Sequence, residues 1–287
     1  MKLFSAWSAA LGIEGASLRG VDLPLGGALD QHREAVLRLK QDSATRGALV
    51  TSHKLTVVRA AGDLIDHLTP EARFCGEVSA LYKRGPALLG HACDPANCGR
   101  AMMHFLGQDW WQTHPQAGIL SFGGGGATVA LLMYLLTQAR HRPRFVQVVE
   151  KRMDNLDHCK SVAERFCDSG MRLRFVHSSD ADVCDKLVAE LPAYSLVVNA
   201  TGMGKDVPGS PVSGKVAFPD NGAVWELNYR GERPFLYQAR GQAALRNLIV
   251  EDGWQYFLYG WASVMSLVYD VPLTEARFAA FVRASAA

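Results

Sequence analysis

Four consecutive glycines, Gly123, Gly124, Gly125 and Gly126, separate two apolar runs, residues 118–122 and 127–136. A strand buried on both faces fits the first run, and a buried helix fits the second. The turn between them must let the backbone bend tightly and approach a ligand without β-carbons in the way. It also aims free N–H groups at the helix start towards an anion. A plain tight turn needs fewer than four glycines. The context therefore favours the pyrophosphate-binding turn of a parallel βαβ unit, with Ala127 opening its helix.

Elements that alternate along the chain support that unit. Strands are expected over 144–149, 173–177, 196–199 and 223–227, with a helix over 154–168 and helices over 254–269 and 273–286. Strands that alternate with helices imply a parallel, doubly wound sheet. The second strand runs out at Glu150, Lys151 and Arg152. An acidic residue there accepts hydrogen bonds from the ribose hydroxyls of NAD and repels a 2′-phosphate, whereas Lys151 and Arg152 suit the phosphate of NADP. Both readings stand, as does a third in which the two cations are solvated surface charges. Glu150 at the strand end tips the balance towards NAD.

Upstream lies a second α/β unit of about 110 residues. Helices are expected over 5–11, 28–39, 54–68 and 97–106, and strands over 16–23 and 47–51, with extended pieces at 78–82 and 87–90 around Gly85-Pro86. The expected divisions are 1–108, 109–245 and 246–287. The 30 basic and 28 acidic residues leave a net charge of +2, which gives no electrostatic reason to bind nucleic acid or an acidic membrane. Cysteines at 75, 93, 98, 159, 167 and 184 are too scattered for a disulfide framework, and His91, Cys93 and Cys98 lack a fourth partner for zinc, so no metal is expected. The N-terminal stretch is too weak for a signal peptide and the run 127–136 is half a membrane span, which points to the cytoplasm.

Several motifs, in order, resemble the shikimate/quinate dehydrogenase family over nearly the whole chain. Gly47-Ala-Leu-Val-Thr-Ser-His-Lys54 is similar to the family's G-A-N-V-T-x-P-H-K, and Glu77-Val-Ser-Ala80 sits where the family has A-V-N-T. Leu89-Gly-His-Ala-Cys-Asp94 resembles L-x-G-x-N-T-D, and the glycine turn resembles G-A-G-G-A. Asn199-Ala-Thr-Gly-Met-Gly204 is similar to N-A-T-S-x-G, and Trp225-Glu-Leu-Asn-Tyr229 with Pro234-Phe-Leu236 to Y-D-x-x-Y and T-P-F-L. The resemblance implies an N-terminal α/β substrate domain, a Rossmann-type domain, C-terminal helices that return to the first domain, and a site in the cleft between the two. It implies that Lys54 and Asp94 are the catalytic pair. It adds Asn199, Ala200, Thr201, Leu227 and Gly253 to the cofactor set and Thr51 and Tyr229 to the substrate set, and is compatible with a homodimer.

That pairing has a chemical rationale. Hydride transfer to a carbonyl leaves an alkoxide, which an ammonium stabilises and protonates, and the reverse reaction needs a base. A lysine of ordinary pKa is a poor base at neutral pH, so burial is expected to pull Lys54 down while Asp94 orients it. A lysine at a helix start otherwise sits badly against the positive end of the dipole, which argues for a functional reason.

Departures from the family pattern concern the substrate. The serine segment that holds a carboxylate is expected to be missing or to lie upstream of residue 1. Leu49 and Ser79 replace asparagines, Ala92-Cys93 replaces N-T, Gln255 replaces a glycine, and Gly260 replaces a glutamine. A site that loses this many hydrogen-bond partners cannot keep its selectivity for a polyhydroxylated ring. The expectation is an NAD(P)-dependent oxidoreductase of a small polar alcohol or ketone other than shikimate, with Ser52, His53, Ser79, His91 and Gln255 as replacement contacts. His53 and His91 equally suit packed, hydrogen-bonded histidines. Two other readings are an inactive dinucleotide-binding regulator and another Rossmann enzyme such as a methyltransferase. The last explains neither Lys54 nor Asp94.

Overall fold

A computed structural model of the chain describes residues 3–24, 27–165 and 170–286. The chain divides into two compact units, one reaching to Asn97 and resuming at Leu258, the other spanning Cys98–Phe257.

The first unit opens with α1 (Phe4–Leu11), which stops at Gly12 in the left-handed conformation, and α2 (Leu29–Gln41). Then come β1 (Gly47–Leu49), α3 (Lys54–Ala61), β2 (His67–Leu68), α4 (Pro70–Cys75), β3 (Ala80–Arg84) and β4 (Ala87–His91). The strands form a sheet in the order β1-β3-β4-β2, with β3 antiparallel to both β1 and β4. Side chains alternate across this sheet as the two-residue period requires. Leu81 joins Val36, Val57 and Leu88 in a cluster on one side, whereas Ala80 and Tyr82 join Cys93 and Val264 on the other. The C-terminal helices α12 (Trp254–Tyr269) and α13 (Glu275–Ala284) belong largely here, and Trp7 of α1 stacks on Phe281 at 4.8 Å.

Two expectations fail in this unit. Residues 16–23 form no strand; most are exposed, so no buried face fixes a register. The helix from Lys54 breaks at Ala61, passes through a 3-10 turn at Gly62–Leu64 and yields β2, because glycine weakens the helix and Asp66 turns to accept the Leu88 amide at 2.7 Å. Helix α4 escaped notice, although Thr69 caps it by accepting the Ala72 amide and Pro70 supplies a favourable first residue.

The second unit begins within α5 (Asp94–Leu106), followed by the short α6 (Trp110–Thr113), β5 (Ile119–Phe122), α7 (Gly126–Thr137), β6 (Phe145–Glu150), α8 (Met153–Glu164), β7 (Arg172–His177), α9 (Ala181–Ala189) and β8 (Leu196–Asn199). It closes with β9 (Ala223–Glu226), α10 (Pro234–Arg240), α11 (Ala243–Arg246) and β10 (Ile249–Glu251). The end of the helix expected over 154–168, with Cys167, lies outside the described residues. Six strands run in the order β10-β9-β8-β5-β6-β7, every pair parallel. Counted from β5, this is the doubly wound 3-2-1-4-5-6 order, whose direction of winding reverses between β5 and β8. Ligands of such sheets bind outside the strand ends at that reversal. Helix α7 is buried almost all round, which accounts for its apolar run. Among the described residues, no helix is long and apolar enough to cross a membrane.

Candidate functional site

In the first unit Lys54 is the first residue of α3 and Asp94 the first of α5. The Lys54 ammonium donates to Asp94 Oδ2, with the side chains 24% and 15% exposed. Aspartate suits a helix start and lysine does not, so the pair offsets the cation's unfavourable position. Backbone bonds lace the surrounding segments together. The Val78 amide donates to the Lys54 carbonyl at 3.3 Å, Ser79 N–H donates to the His91 carbonyl at 2.9 Å, and Val50 N–H donates to the Ser79 carbonyl at 2.9 Å. The Ser79 side chain is buried and bonded to backbone, since Ser79 Oγ accepts the Cys93 amide at 2.7 Å and reaches the His91 carbonyl at 3.4 Å.

A second carboxylate enters this group. Glu77, only 3% exposed, lies between α4 and β3. Burial pushes its carboxyl up to about 7, with the Asp94 charge adding to the rise and Lys54 opposing it. Burial works to lower Lys54 as expected, but the negative charges of Asp94 and Glu77 outweigh it and the net shift is upward. The expectation of a depressed lysine is therefore corrected. At neutral pH this amine is a held cation.

Thr51 and Ser52 are exposed in the loop before α3, and His91 is half-buried at the end of β4, its imidazole lowered by burial. His53 faces His32, a buried residue of α2 that motif reading missed. His32 Nδ1 lies 3.1 Å from the Ala28 carbonyl, and its Nε2 lies 3.0 Å from His53 Nδ1. A carbonyl only accepts, so the His32 proton belongs on Nδ1. The two imidazoles share one hydrogen bond between His32 Nε2 and His53 Nδ1, which leaves His53 Nε2 as the ring nitrogen outside that bond.

The second unit carries the glycine turn at the reversal point. Gly123 has φ +93°, and a β-carbon there would lie 2.8 Å from the Ala200 carbonyl oxygen. Thr128 Oγ1 donates to the Gly123 carbonyl at 2.5 Å, and the Gly123 amide donates to Val149 O at 2.8 Å. Gly125, Gly126 and Ala127 are only partly buried or exposed at the start of α7, and a β-carbon on Gly125 would meet open space. The Cys159 thiol, pushed up to about 12 by burial, donates to the Gly124 carbonyl at 3.2 Å. Glu150 turns its buried carboxylate onto the turn and its own loop, accepting from the amides of Gly124 at 2.6 Å and Arg152 at 2.9 Å. Lys151 is exposed, and Arg152 is held by both oxygens of Asp154.

A buried polar network closes the ends of β8 and β9. Asn199 Oδ1 accepts from Thr201 N–H at 3.1 Å and Thr201 Oγ1 at 2.6 Å, and Asn199 Nδ2 donates to Glu226 Oε2 at 2.7 Å. Asn228 donates its backbone and side-chain N–H groups to Glu226 Oε1 at 2.9 and 2.7 Å. Burial still raises the Glu226 carboxyl to about 7, against these hydrogen bonds. Glu226 and Asn228 stood within a quoted motif without being assigned a role. Gly253 packs on Leu227 so closely that a β-carbon would collide with the Leu227 carbonyl. Tyr229 stacks on Phe257 at 4.3 Å, and Gln255 lies half-buried in the first turn of α12.

No family model matches the chain. A shikimate dehydrogenase (NADP(+)) of Lactococcus lactis subsp. cremoris is 28% identical over 182 residues, 63% of this chain and 60% of that protein. The chain thus matches somewhat less than two thirds of the length of this curated relative. Among solved structures, shikimate dehydrogenase of Aquifex aeolicus superposes with a TM-score of 0.73 at 16% identity, covering 99% of this chain and 91% of that one. Quinate dehydrogenase of Corynebacterium glutamicum, solved with NAD, gives 0.67 at 19% identity over 98% of this chain and 93% of that one. Fold and motifs define a two-domain α/β protein with a doubly wound dinucleotide-type sheet. The chain is similar in sequence and in fold to shikimate dehydrogenases.

Proposed function

We propose that the protein is an NAD(P)-dependent oxidoreductase that moves hydride between nicotinamide and a small polar alcohol or ketone. The buried Lys54–Asp94 pair carries this reading, since an oriented ammonium is the acid that a developing alkoxide requires. The bound dinucleotide supplies or accepts the hydride. The N–H groups of Gly125, Gly126 and Ala127 at the start of α7 suit its pyrophosphate, and Asn199, Ala200, Thr201, Leu227 and Gly253 suit its nicotinamide half. Glu150 at the end of β6, with Arg152 tied to Asp154, supports NAD over NADP.

The substrate differs from shikimate in this reading. Ser79, at a family asparagine position, is committed to backbone, whereas the second ring nitrogen of His53 suits a substrate hydroxyl. Thr51, Ser52, His91, Tyr229 and Gln255 complete the proposed contacts. Buried cysteines suit a reducing, cytoplasmic setting, and a homodimer belongs to the same reading. The test is a fluorescence and melting titration with NADH, NADPH and S-adenosylmethionine. NADH is expected to bind at micromolar concentrations. Binding of neither nicotinamide form removes the proposal.

A further inference from the structure

Glu77 stands where the quoted A-V-N-T motif has its alanine, and the structure buries it beside the proposed acid. The Val78 amide bonds the Lys54 carbonyl, and the adjoining Ser79 is bonded to His91 and Cys93, so Glu77 sits in a backbone strap joining the segments that carry Lys54 and Asp94. Asp94 bonds the ammonium, and the charge of Glu77 acts on it as well, where water is scarce. Lys54 from α3 and Asp94 from α5 are the charged groups that act on Glu77, and Cys93 acts on Lys54 as well. A buried carboxylate with no part in the fold's hydrophobic core is a costly substitute for alanine, which argues for a role.

We infer that Glu77 is a positioning residue for proton transfer, whose charge holds Lys54 as an ammonium and whose protonation releases that hold. Its catalytic meaning rests on the dehydrogenase reading above, but the coupling itself does not. Lysine held as a cation by two carboxylates cannot take a proton from an alcohol. With Glu77 present, an ammonium beside a carboxylate and an amine beside a carboxylic acid contain the same number of protons. The base-competent amine is therefore reached by redistributing one proton within the group, directly or through solvent, instead of by raising the pH. In alcohol oxidation the hydride leaves the substrate carbon for nicotinamide, the hydroxyl proton passes to the Lys54 amine, and Glu77 later yields its proton to water. Reduction runs the same steps backwards. Burial raises the Glu77 carboxyl to about 7, which makes this redistribution less costly than it would be with an ordinary glutamate.

The test reads Lys54 itself in the intact protein. Trace labelling of lysines with acetic anhydride, followed by peptide mass spectrometry over a range of pH, reports how much free amine Lys54 carries. Glu77→Gln keeps the shape and removes the charge. It is expected to increase Lys54 labelling at neutral pH by about tenfold, equivalent to one unit of amine pKa, while NADH binding stays unchanged. Glu77→Asp is expected to label like the wild type. Equal labelling of Lys54 in wild type and a folded Glu77→Gln overturns the inference. Should Glu77→Gln not fold, Glu226→Gln, which removes the other buried carboxyl raised to about 7, decides by infrared spectroscopy: a buried protonated-carboxyl band that fades as pH rises through neutrality supports the inference, and no such band overturns it. If the labelling behaves as expected but no nicotinamide binds, the coupling stands and the dehydrogenase reading falls.

Discussion

The Glu150 carboxylate, at the end of β6, accepts the amide proton of Gly124 at 2.6 Å and so joins the glycine turn to the strand end. One side chain thereby shapes the glycine turn and, in the proposed function, places a negative charge where the 2′-phosphate of NADPH would sit. Removing it has two consequences of different sign. Glu150→Ala loses a hydrogen bond to a charged group, worth about 1.5–3 kcal/mol, and weakens binding of both dinucleotides. It also removes the repulsion specific to NADPH. The ratio of NADPH to NADH affinity is expected to rise by about tenfold, or roughly 1.4 kcal/mol. Fluorescence titration of both reduced forms checks this, and an unchanged ratio retires the preference for NAD.

Lys54→Met is expected to remove turnover by a factor of about 10²–10⁴, the usual contribution of a positioned acid or base. The substitution lies in the first unit, whereas the glycine turn belongs to the second, so NADH affinity should change by less than about twofold. Deleting the ammonium also leaves Asp94 and Glu77 without their cation, so stability should fall most at high pH, where Glu77 is ionised. A loss of NADH affinity as large as the loss of turnover shows that Lys54 is wrongly assigned.

Gly253→Ala tests the contact between Gly253 and Leu227, two residues proposed to hold the nicotinamide half. The added β-carbon meets the Leu227 carbonyl, a backbone group that cannot swing aside as a side chain would. Overpacking of this kind costs about 1–3 kcal/mol, or a Tm loss of several degrees at about 2–4 °C per kcal/mol. NADH affinity should fall with it. A variant as stable as the wild type means that the β9–α12 junction yields more easily than its geometry implies.

The parts of the fold that could be read from the sequence are those where one segment contains its own reason. Residues 118–137 carry a buried strand, a glycine turn and a buried helix in immediate succession, and the structure follows that order. Residues 16–23 mixed apolar and polar positions without a partner to bury them, and no strand forms. The short strands His67–Leu68 and Ile249–Glu251 form because neighbouring strands offer them a free edge, which no local pattern reveals. The site divides in the same way. Lys54 and Asp94 are legible through motifs, but the upward shift of the lysine draws on Glu77 as well as Asp94, and tertiary structure alone buries Glu77 near them. Its one visible sign was a charged residue at an alanine position.

Stability should fall as pH rises from about 5 to about 7.5. Glu226 is fully buried, and its carboxyl lies at about 7 in the folded protein against an ordinary 4.5. Below 4.5 folded and unfolded chains both hold the proton. Between those values the folded chain keeps a proton that the unfolded chain releases, so the folded state binds more protons and rising pH favours unfolding. Above about 7 both are ionised and the loss levels off, at roughly 3 kcal/mol as an upper figure for this residue. Asp63 and Asp66, lowered by their bonds to Arg33 and Lys40, act the other way, but below about pH 4. Urea midpoints measured across this range are expected to decline and then flatten. Glu226→Gln should abolish its share of the decline, while losing one hydrogen bond, because its amide N–H would face the Asn199 Nδ2 donor. A wild-type decline no steeper than that of Glu226→Gln between about pH 5 and 7.5 contradicts a protonated Glu226 in the folded core, since His91 and Glu77 act equally on both.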